Sequence, residues 1–350
     1  MLKHAFIVSI FLAGVAAQSQ AVTIDTVPVG NAGNQGDNTN GTFVSVGGVG
    51  YNYRIGTYEV TVGQYAAFLN AVAATDTFSL YNTSMATDLN IAGISRSGVS
   101  GSYNYSVIGS ANKPVTYVNW GDAARFSNWL HNGQPGLGGP AVPQNASSTE
   151  NGAYTLNGTS VVPRNAGAQW FIPSYNESYK AAFHKNDGVT NHYWSYPTAT
   201  NSSTRSDQPP GSDTPTPSNT GNYFWDDGIA NGYNDGYAVT GSTSLVASQN
   251  YLTDVGAYTL AKSAYGTFDQ GGNVEEFTET EGLRSGASYV PTYGNLFPYL
   301  RAAHYFLGTG GPQQENARTG FRVATVPEPS SFVLAALGLI GLVFWRRRKR

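Results

Sequence analysis

Three times along the chain the spacing of apolar residues lengthens from a strand's period to a helix's. Residues 51–62 (YNYRIGTYEVTV) alternate, with Tyr51, Tyr53 and Ile55 on one parity, and predict a strand. From Thr61 the apolar steps become three and four, through Tyr65, Phe68, Leu69 and Val72, which predicts an amphipathic helix capped by Thr61. Residues 113–130 repeat the sequence of events: a strand at 115–118, an Asn119 cap, then a helix whose buried face holds Ala123, Phe126, Trp129 and Leu130. Residues 169–184 do so again, with Ser174 and Glu177 in the spacing of a capping box ahead of Tyr175, Tyr179, Ala182 and Phe183. Between and beyond these blocks the chain is polar and rich in Gly, Asn, Ser and Thr. A tract at 198–220 is too long for an ordinary connection, which marks a functional or ligand-held loop. Residues 22–43 form a lead-in without hydrophobic period, and no repeat of fixed length is visible.

The two ends carry a different pattern. Residues 1–21 place one lysine before an apolar run and the small residues Ser19 and Ala21 after it, the layout of a secretory signal peptide cut after Ala21. Residues 326–350 (VPEPSSFVLAALGLIGLVFWRRRKR) join a Pro-Glu-Pro turn, an apolar helix at 332–345 and five basic residues. Prolines interrupt the preceding structure, the apolar helix partitions into lipid, and the basic cluster stays on the cytoplasmic side. The three parts resemble the PEP-CTERM sorting signal of Gram-negative bacteria, which implies cleavage by an exosortase and only a transient hold on the membrane. A permanent C-terminal anchor is the alternative, and both readings put residues 22–331 outside the cytoplasm.

Composition narrows the function. Lys3 and the five terminal basic residues leave with the signals, so thirteen of nineteen basic residues remain against twenty-two acidic ones, a formal net charge of −9. Such a surface opposes nucleic-acid binding. The chain has no cysteine, which excludes disulfides, thiolate metal sites and a cysteine nucleophile. Forty-two glycines and few charged residues predict short strands, much turn and a minority of helix.

Six blocks in order, IGTYEVTVGQYAAFLNAVA, KPVTYVNWGDAARFSNWL, WFIPSYNESYKAAFHK, GGNVEEFTE, LRSGASY and ARTGFRVA, resemble the formylglycine-generating, or sulfatase-modifying factor, family over residues 44–325. The resemblance implies a single large α+β domain with little regular secondary structure, a variant of the C-type-lectin-like fold. It also implies two calcium sites. One is the loop DQGGNVEEF, with Asp269, Gly272, Val274 and Glu276 as ligands. The other is split between GNYFWDDG and YNDGY, with Asn222, Tyr223, Asp235 and Tyr237. Hard cations bind such mixtures of carboxylate, amide and main-chain oxygens. Without a metal the same sequences read as Asp/Asn-Gly turns.

The family's own chemistry has lost its residues. Aerobic formylglycine generation uses a copper-binding cysteine pair after the Gly-Gly-Ser block. Here the block is Ser285–Tyr289, and Pro291 stands where the first cysteine would lie. Related sulfoxide synthases hold iron with three histidines; His131, His184, His192 and His304 show no metal-ligand spacing. Glu275, Glu279 and Glu281 read as a solvated acidic turn, with Glu276 apart from them, and Arg284, Arg301, Arg318 and Arg322 as structural arginines. Two functions stay open. One is a calcium-stabilised, non-catalytic envelope or extracellular protein whose partners are exopolysaccharide or another surface protein. The other is an enzyme rebuilt in the same groove, nonheme-iron-like or hydrolytic, using His304, Tyr289 or nearby carboxylates.

Overall fold

The computed structural model describes residues 21–39, 45–158, 161–210, 219–280, 284–291, 301–302 and 311–326. The signal-peptide run, the 332–345 apolar segment, Glu281 and His304 fall outside these residues. No helix among the described residues is long and apolar enough to cross a membrane.

Each predicted helix begins at its predicted cap. Helix α1 is Val62–Val72, and a four-residue helix α2, Ser84–Thr87, follows it; α3 is Trp120–His131 and α4 is Tyr175–Phe183. In α1 the Thr61 hydroxyl accepts from Gln64 N–H while the Gln64 side chain accepts from Thr61 N–H. Asn119 with Asp122, and Ser174 with Glu177, make the same reciprocal pair at α3 and α4. Two orphan donors are satisfied at each start, so these boundaries are set locally.

Strands are short. The largest sheet has four, in the order β1 (Thr26–Val29), β2 (Tyr53–Gly56), β13 (Ala324–Thr325) and β5 (Trp170–Phe171), all antiparallel to their neighbours. A second sheet sets β10 (Glu275–Phe277) antiparallel to β11 (Arg284–Ser285) and parallel to β12 (Thr319–Phe321). Among the described residues there are also three two-stranded pieces. They are the hairpin β3 (Ile94–Ser97) with β4 (Asn104–Val107), the parallel pair β6 (Arg205–Ser206) with β7 (Thr220–Gly221), and the hairpin β8 (Phe224–Asp226) with β9 (Asp235–Tyr237).

Three departures from the sequence pattern have physical reasons. The lead-in segment contributes β1, paired in register Val27↔Ile55 along the edge of the main sheet. The strand expected over 51–62 covers only Tyr53–Gly56: Thr57 N–H still bonds Asp25 O in register with β1, and beyond it Val60 N–H turns to Phe321 O and Val62 N–H to Lys113 O. The apolar run at 115–118 is not a strand: Tyr117 takes φ 57°, a left-handed conformation that breaks extended pairing.

The main core lies where α1 and α3 meet the two sheets. Phe126 is fully buried and stands 5.4 Å from both Phe68 and Phe321, 5.7 Å from Trp129 and 6.1 Å from Tyr65, centroid to centroid. Offset and edge-to-face contacts of this kind add to the burial of each ring. Since Phe321 belongs to β12, this cluster couples the helices to the strand that carries the candidate site. Phe126→Ala is expected to cost about 3–5 kcal/mol. Val99→Ala, at a 71 % exposed position, should stay within about 0.5 kcal/mol of the parent. Urea midpoints of the two variants check this.

Candidate functional site

The parallel pairing of β10 with β12 sets Glu276 opposite Gly320, and alternation puts Arg322 on the same face as Gly320. A Cβ at 320 would meet Val115 O at 2.5 Å, so only glycine permits the approach. Across this gap Arg322 Nε donates to Glu276 Oε2 at 2.7 Å and Nη2 to Oε1 at 2.6 Å, and both side chains are buried. The remaining guanidinium donors reach main-chain carbonyls, Gly56 O at 2.8 Å and Phe268 O at 2.9 Å.

One arginine is outnumbered here. Asp269 accepts from Gly256 N–H at 2.6 Å, and burial with the nearby Glu276 raises its pKa from 3.8 to about 6. Glu59 is 2 % exposed, and neither carboxylate oxygen has a hydrogen-bond partner. Burial first, then the charge of Asp269, push its pKa well above the ordinary value. Glu59, Asp269 and Glu276 together carry two negative charges more than Arg322 neutralises when all are ionised. Buried carboxylates in such excess either bind protons or favour a cation.

The loop between them is shaped for close packing. Asp269, Gly272 and Asn273 have φ of 57°, 133° and 62°. A Cβ on Gly272 would fall 2.8 Å from Asn222 O, so glycine is required. Asn273 N–H bonds that same Asn222 carbonyl, joining the two expected calcium loops. Among the described residues no three His, Cys, Asp or Glu side chains converge tightly enough to hold a metal alone. Any ion at 269–276 therefore needs main-chain oxygens such as those of Gly272 and Val274 beside the Asp269 and Glu276 carboxylates. Donor type and excess charge fit a hard cation, and Glu59 is the buried acid left over.

Of the oxygens expected at the split site, those of Tyr223, Asp235 and Tyr237 accept hydrogen bonds within the protein, and the Asn222 amide is held through its nitrogen. Asn222 Nδ2 donates to Tyr251 O and Asn273 Oδ1. Tyr223 O accepts the Ser206 hydroxyl at 2.5 Å, Tyr237 O accepts from Thr240 and Gly241 N–H, and Asp235 Oδ2 accepts from Gly232 N–H. Asp235 and Tyr237 lie on β9, paired with β8 just after Asn222 and Tyr223, so the fold brings the two halves together.

The acidic turn is corrected. Glu275 is 3 % exposed and forms ion pairs with Arg284 at 3.5 Å and Arg318 at 3.7 Å. Glu279 pairs with Arg164, which also holds Glu177, and Arg164 lies 3.5 Å from the Phe171 ring centroid. Glu275 is thus interior and Glu279 half-buried, because each has an arginine from a distant segment. Arg301 is instead an exposed residue, over the Tyr196 ring at 5.9 Å.

Tyr289, beside the lost cysteine position, is 3 % exposed and stacks on Tyr251 at 6.0 Å, in a cluster with Tyr237, Val274 and Leu252. His131 accepts from Gln169 N–H at the end of α3. His192 is exposed and paired with Asp187.

Scattered small sheets, few helices and long loops pinned by buried ion pairs define an α+β domain of the loop-rich kind. Residues 26–326 match the family model described as the sulfatase-modifying factor enzyme 1-like domain, and the chain belongs to that family. Residues 325–349 match the PEP-CTERM protein-sorting motif, which implies export to the cell envelope or beyond and processing by an exosortase-type system. Solved structures similar to the chain include CarF (18 % identity, 87 % of this chain and 99 % of that one, TM-score 0.43). Treponema denticola variable protein 1 follows (16 %, 88 % and 97 %, 0.43), with PvdO from Pseudomonas aeruginosa (14 %, 87 % and 92 %, 0.40). Comparison with curated proteins finds no relative.

Two variants test the charge count. Arg322→Met strands Glu276 and is expected to cost about 3–5 kcal/mol, with Arg322→Met/Glu276→Gln recovering part of that loss in denaturant titrations. An acid whose folded pKa exceeds its unfolded value adds stability that is complete below the unfolded value and lost as pH rises through the folded one. Metal-free protein should therefore lose stability as pH climbs from about 4 to above 6, the window of Asp269. Glu59→Gln should flatten that slope in thermal melts.

Proposed function

We propose that the chain is an exported, non-catalytic binding or structural protein of the cell envelope or extracellular matrix. It would be stabilised by calcium at the 269–276 loop and have exopolysaccharide or another surface protein as partner. The observation that carries this reading lies at the family's reactive block. There is no cysteine in the chain, and Tyr289 is buried and stacked on Tyr251, which packs in turn on Tyr237, rather than opened to a substrate. Soft-metal oxygen chemistry has no ligand to start from.

Calcium is supported by the excess of buried carboxylate around Glu59, Asp269 and Glu276. Asp269 and Glu276 would supply side-chain oxygens, and Gly272 and Val274 carbonyls. The ion would offset charge that Arg322 alone leaves uncompensated. Asn222, Tyr223, Asp235 and Tyr237 would form the second site by the family pattern, with Ser206 giving up its bond to Tyr223 O. Extracellular modules bind calcium at about 10⁻⁴–10⁻³ M, and an exported chain meets such concentrations.

Metal analysis of the purified chain checks the whole reading. Calcium without stoichiometric iron or copper is expected, and stoichiometric iron or copper would replace it with a rebuilt enzyme. At a calcium concentration a hundred times the dissociation constant, the stabilisation over EDTA-treated protein should be about 2.7 kcal/mol. Asp269→Asn should remove most of it, and a melting curve indifferent to both calcium and EDTA overturns the calcium assignment.

A further inference from the structure

At the end of helix α4 two bases are buried without a carboxylate bonded to either. Lys180 is fully buried, and its Nζ donates to the main-chain carbonyl of Asn31 at 3.1 Å. His184, the residue that caps the helix, is also fully buried. Its hydrogen bonds settle its protonation. Asn186 N–H, which only donates, points at His184 Nδ1 from 3.1 Å, so Nδ1 has no proton and Nε2–H faces Thr190 O at 3.3 Å. The Tyr265 hydroxyl accepts from Asn31 Nδ2 at 3.1 Å and lies 2.8 Å from Nδ1, so it donates its own proton there. The neutral imidazole therefore closes a chain of bonds: Lys180 to Asn31, Asn31 to Tyr265, Tyr265 to His184. That chain ties the N-terminal segment around Asn31 to α4, to the loop after it and to the turn at Tyr265. Asn31 Nδ2 adds a bond to Asn186 Oδ1 at 2.9 Å.

We propose that Lys180 and His184 form an acid-sensitive latch, closed while His184 is neutral and opened by its protonation, which frees the N-terminal segment around Asn31 from α4. A proton on Nδ1 would face the Asn186 N–H, a main-chain donor that cannot turn to accept it. The Tyr265 hydroxyl could accept only by reversing its own bond.

The surroundings oppose the charge as well. On α4 itself Lys180 repels it. From the loop after the helix come the basic side chains of Lys185 and His192, and Asp187 is the one carboxylate there, exposed and already bonded to His192 at 2.7 Å and to Thr190. From the N-terminal segment Asp37 is committed to the Tyr179 hydroxyl, from which it accepts at 2.7 Å. On β2 Tyr53 is committed to Glu177 O, and the rings of Tyr193 and Tyr265 enclose the imidazole at 5.2 and 6.0 Å. Burial accordingly lowers the pKa of His184 below 6.5 and that of Lys180 from 10.5 to about 8. A base whose folded pKa is depressed loses closed-state stability as pH falls from the unfolded value to the folded one. Lys180 thus acts between about 10.5 and 8, and His184 below 6.5. An exported chain meets the second window in acidic surroundings.

The full chain tests this by hydrogen exchange at pH 7.5 and pH 5, corrected for intrinsic rates. Amides of residues 31–34 and 185–193 are expected to open at least about tenfold more at pH 5, while the Phe126 core stays protected. His184→Gln keeps a neutral donor and acceptor and should abolish the difference. Lys180→Met leaves the imidazole in place, removes the repelling charge and should shrink the difference. Should a variant fail to fold, nitrogen NMR of the wild-type imidazole decides: an Nε2–H tautomer whose titration midpoint lies below 6.5 is expected. Exchange in the wild type that is the same at both pH values, or a His184 already protonated at pH 7, overturns the latch.

Discussion

The bidentate pair between Arg322 and Glu276 is the contact on which the rest of the domain depends. It joins a residue just past β12 to the middle of β10, and its spare donors take carbonyls at the end of β2 and beside Asp269. Three segments far apart in the chain, around residues 56, 268–276 and 322, meet at one guanidinium. With both charges buried, the attraction is offset by desolvation, so the pair adds little net stability while making its half-removal expensive. Its larger effect is on geometry. A planar fork with fixed donors fixes the register of the parallel pair, which in turn holds Phe321 against Phe126 and aims the 269–276 loop.

Ion pairing elsewhere follows the same plan. Arg284 and Arg318 reach Glu275, Arg164 reaches Glu177 and Glu279, and Arg125 binds Glu150 through two bonds. A chain with short strands and long loops has few ladder bonds to order it, and no disulfide replaces them. Buried arginines that span loops do so, because each guanidinium offers five donors to segments that cannot pair with one another.

What the sequence made legible is what local chemistry decides. Thr61, Asn119 and Ser174 each start a helix because the partner that completes the cap is three residues away. The order of six blocks identified the family, and the core positions Phe68, Phe126 and Trp129 followed from helical spacing. Other features depend on contacts that spacing does not encode. Glu59 sits in an apolar run, YEVTV, where an isolated acid was the one available signal, yet its neighbours Asp269 and Glu276 lie some two hundred residues on. Glu275 and Glu279 looked solvated because their arginines are remote in sequence. The strand expected at 115–118 had the right residues but the wrong backbone at Tyr117, which tertiary bonds to Val60 and Asn316 impose.

The interior therefore holds two unbalanced clusters of opposite sign, an acidic one contacted by the end of β2 and a basic one reached through its start. Gly56, at the end of that strand, binds the arginine of the acidic cluster, while Tyr53, at its start, bonds α4 one turn before Lys180. Protons act on them in opposite senses: acid relieves Glu59 and Asp269 and burdens His184. In the metal-free chain a rise in pH therefore weakens the acidic cluster at the end of β2, while a fall in pH weakens the basic pair reached from its start. A cation at 269–276 would relieve the acidic side without protons, leaving the basic side as the part that still answers to acid. Under the proposed calcium binding, metal and pH would act on separate parts of one scaffold, and the exported domain would stay folded while its N-terminal segment responds to its surroundings.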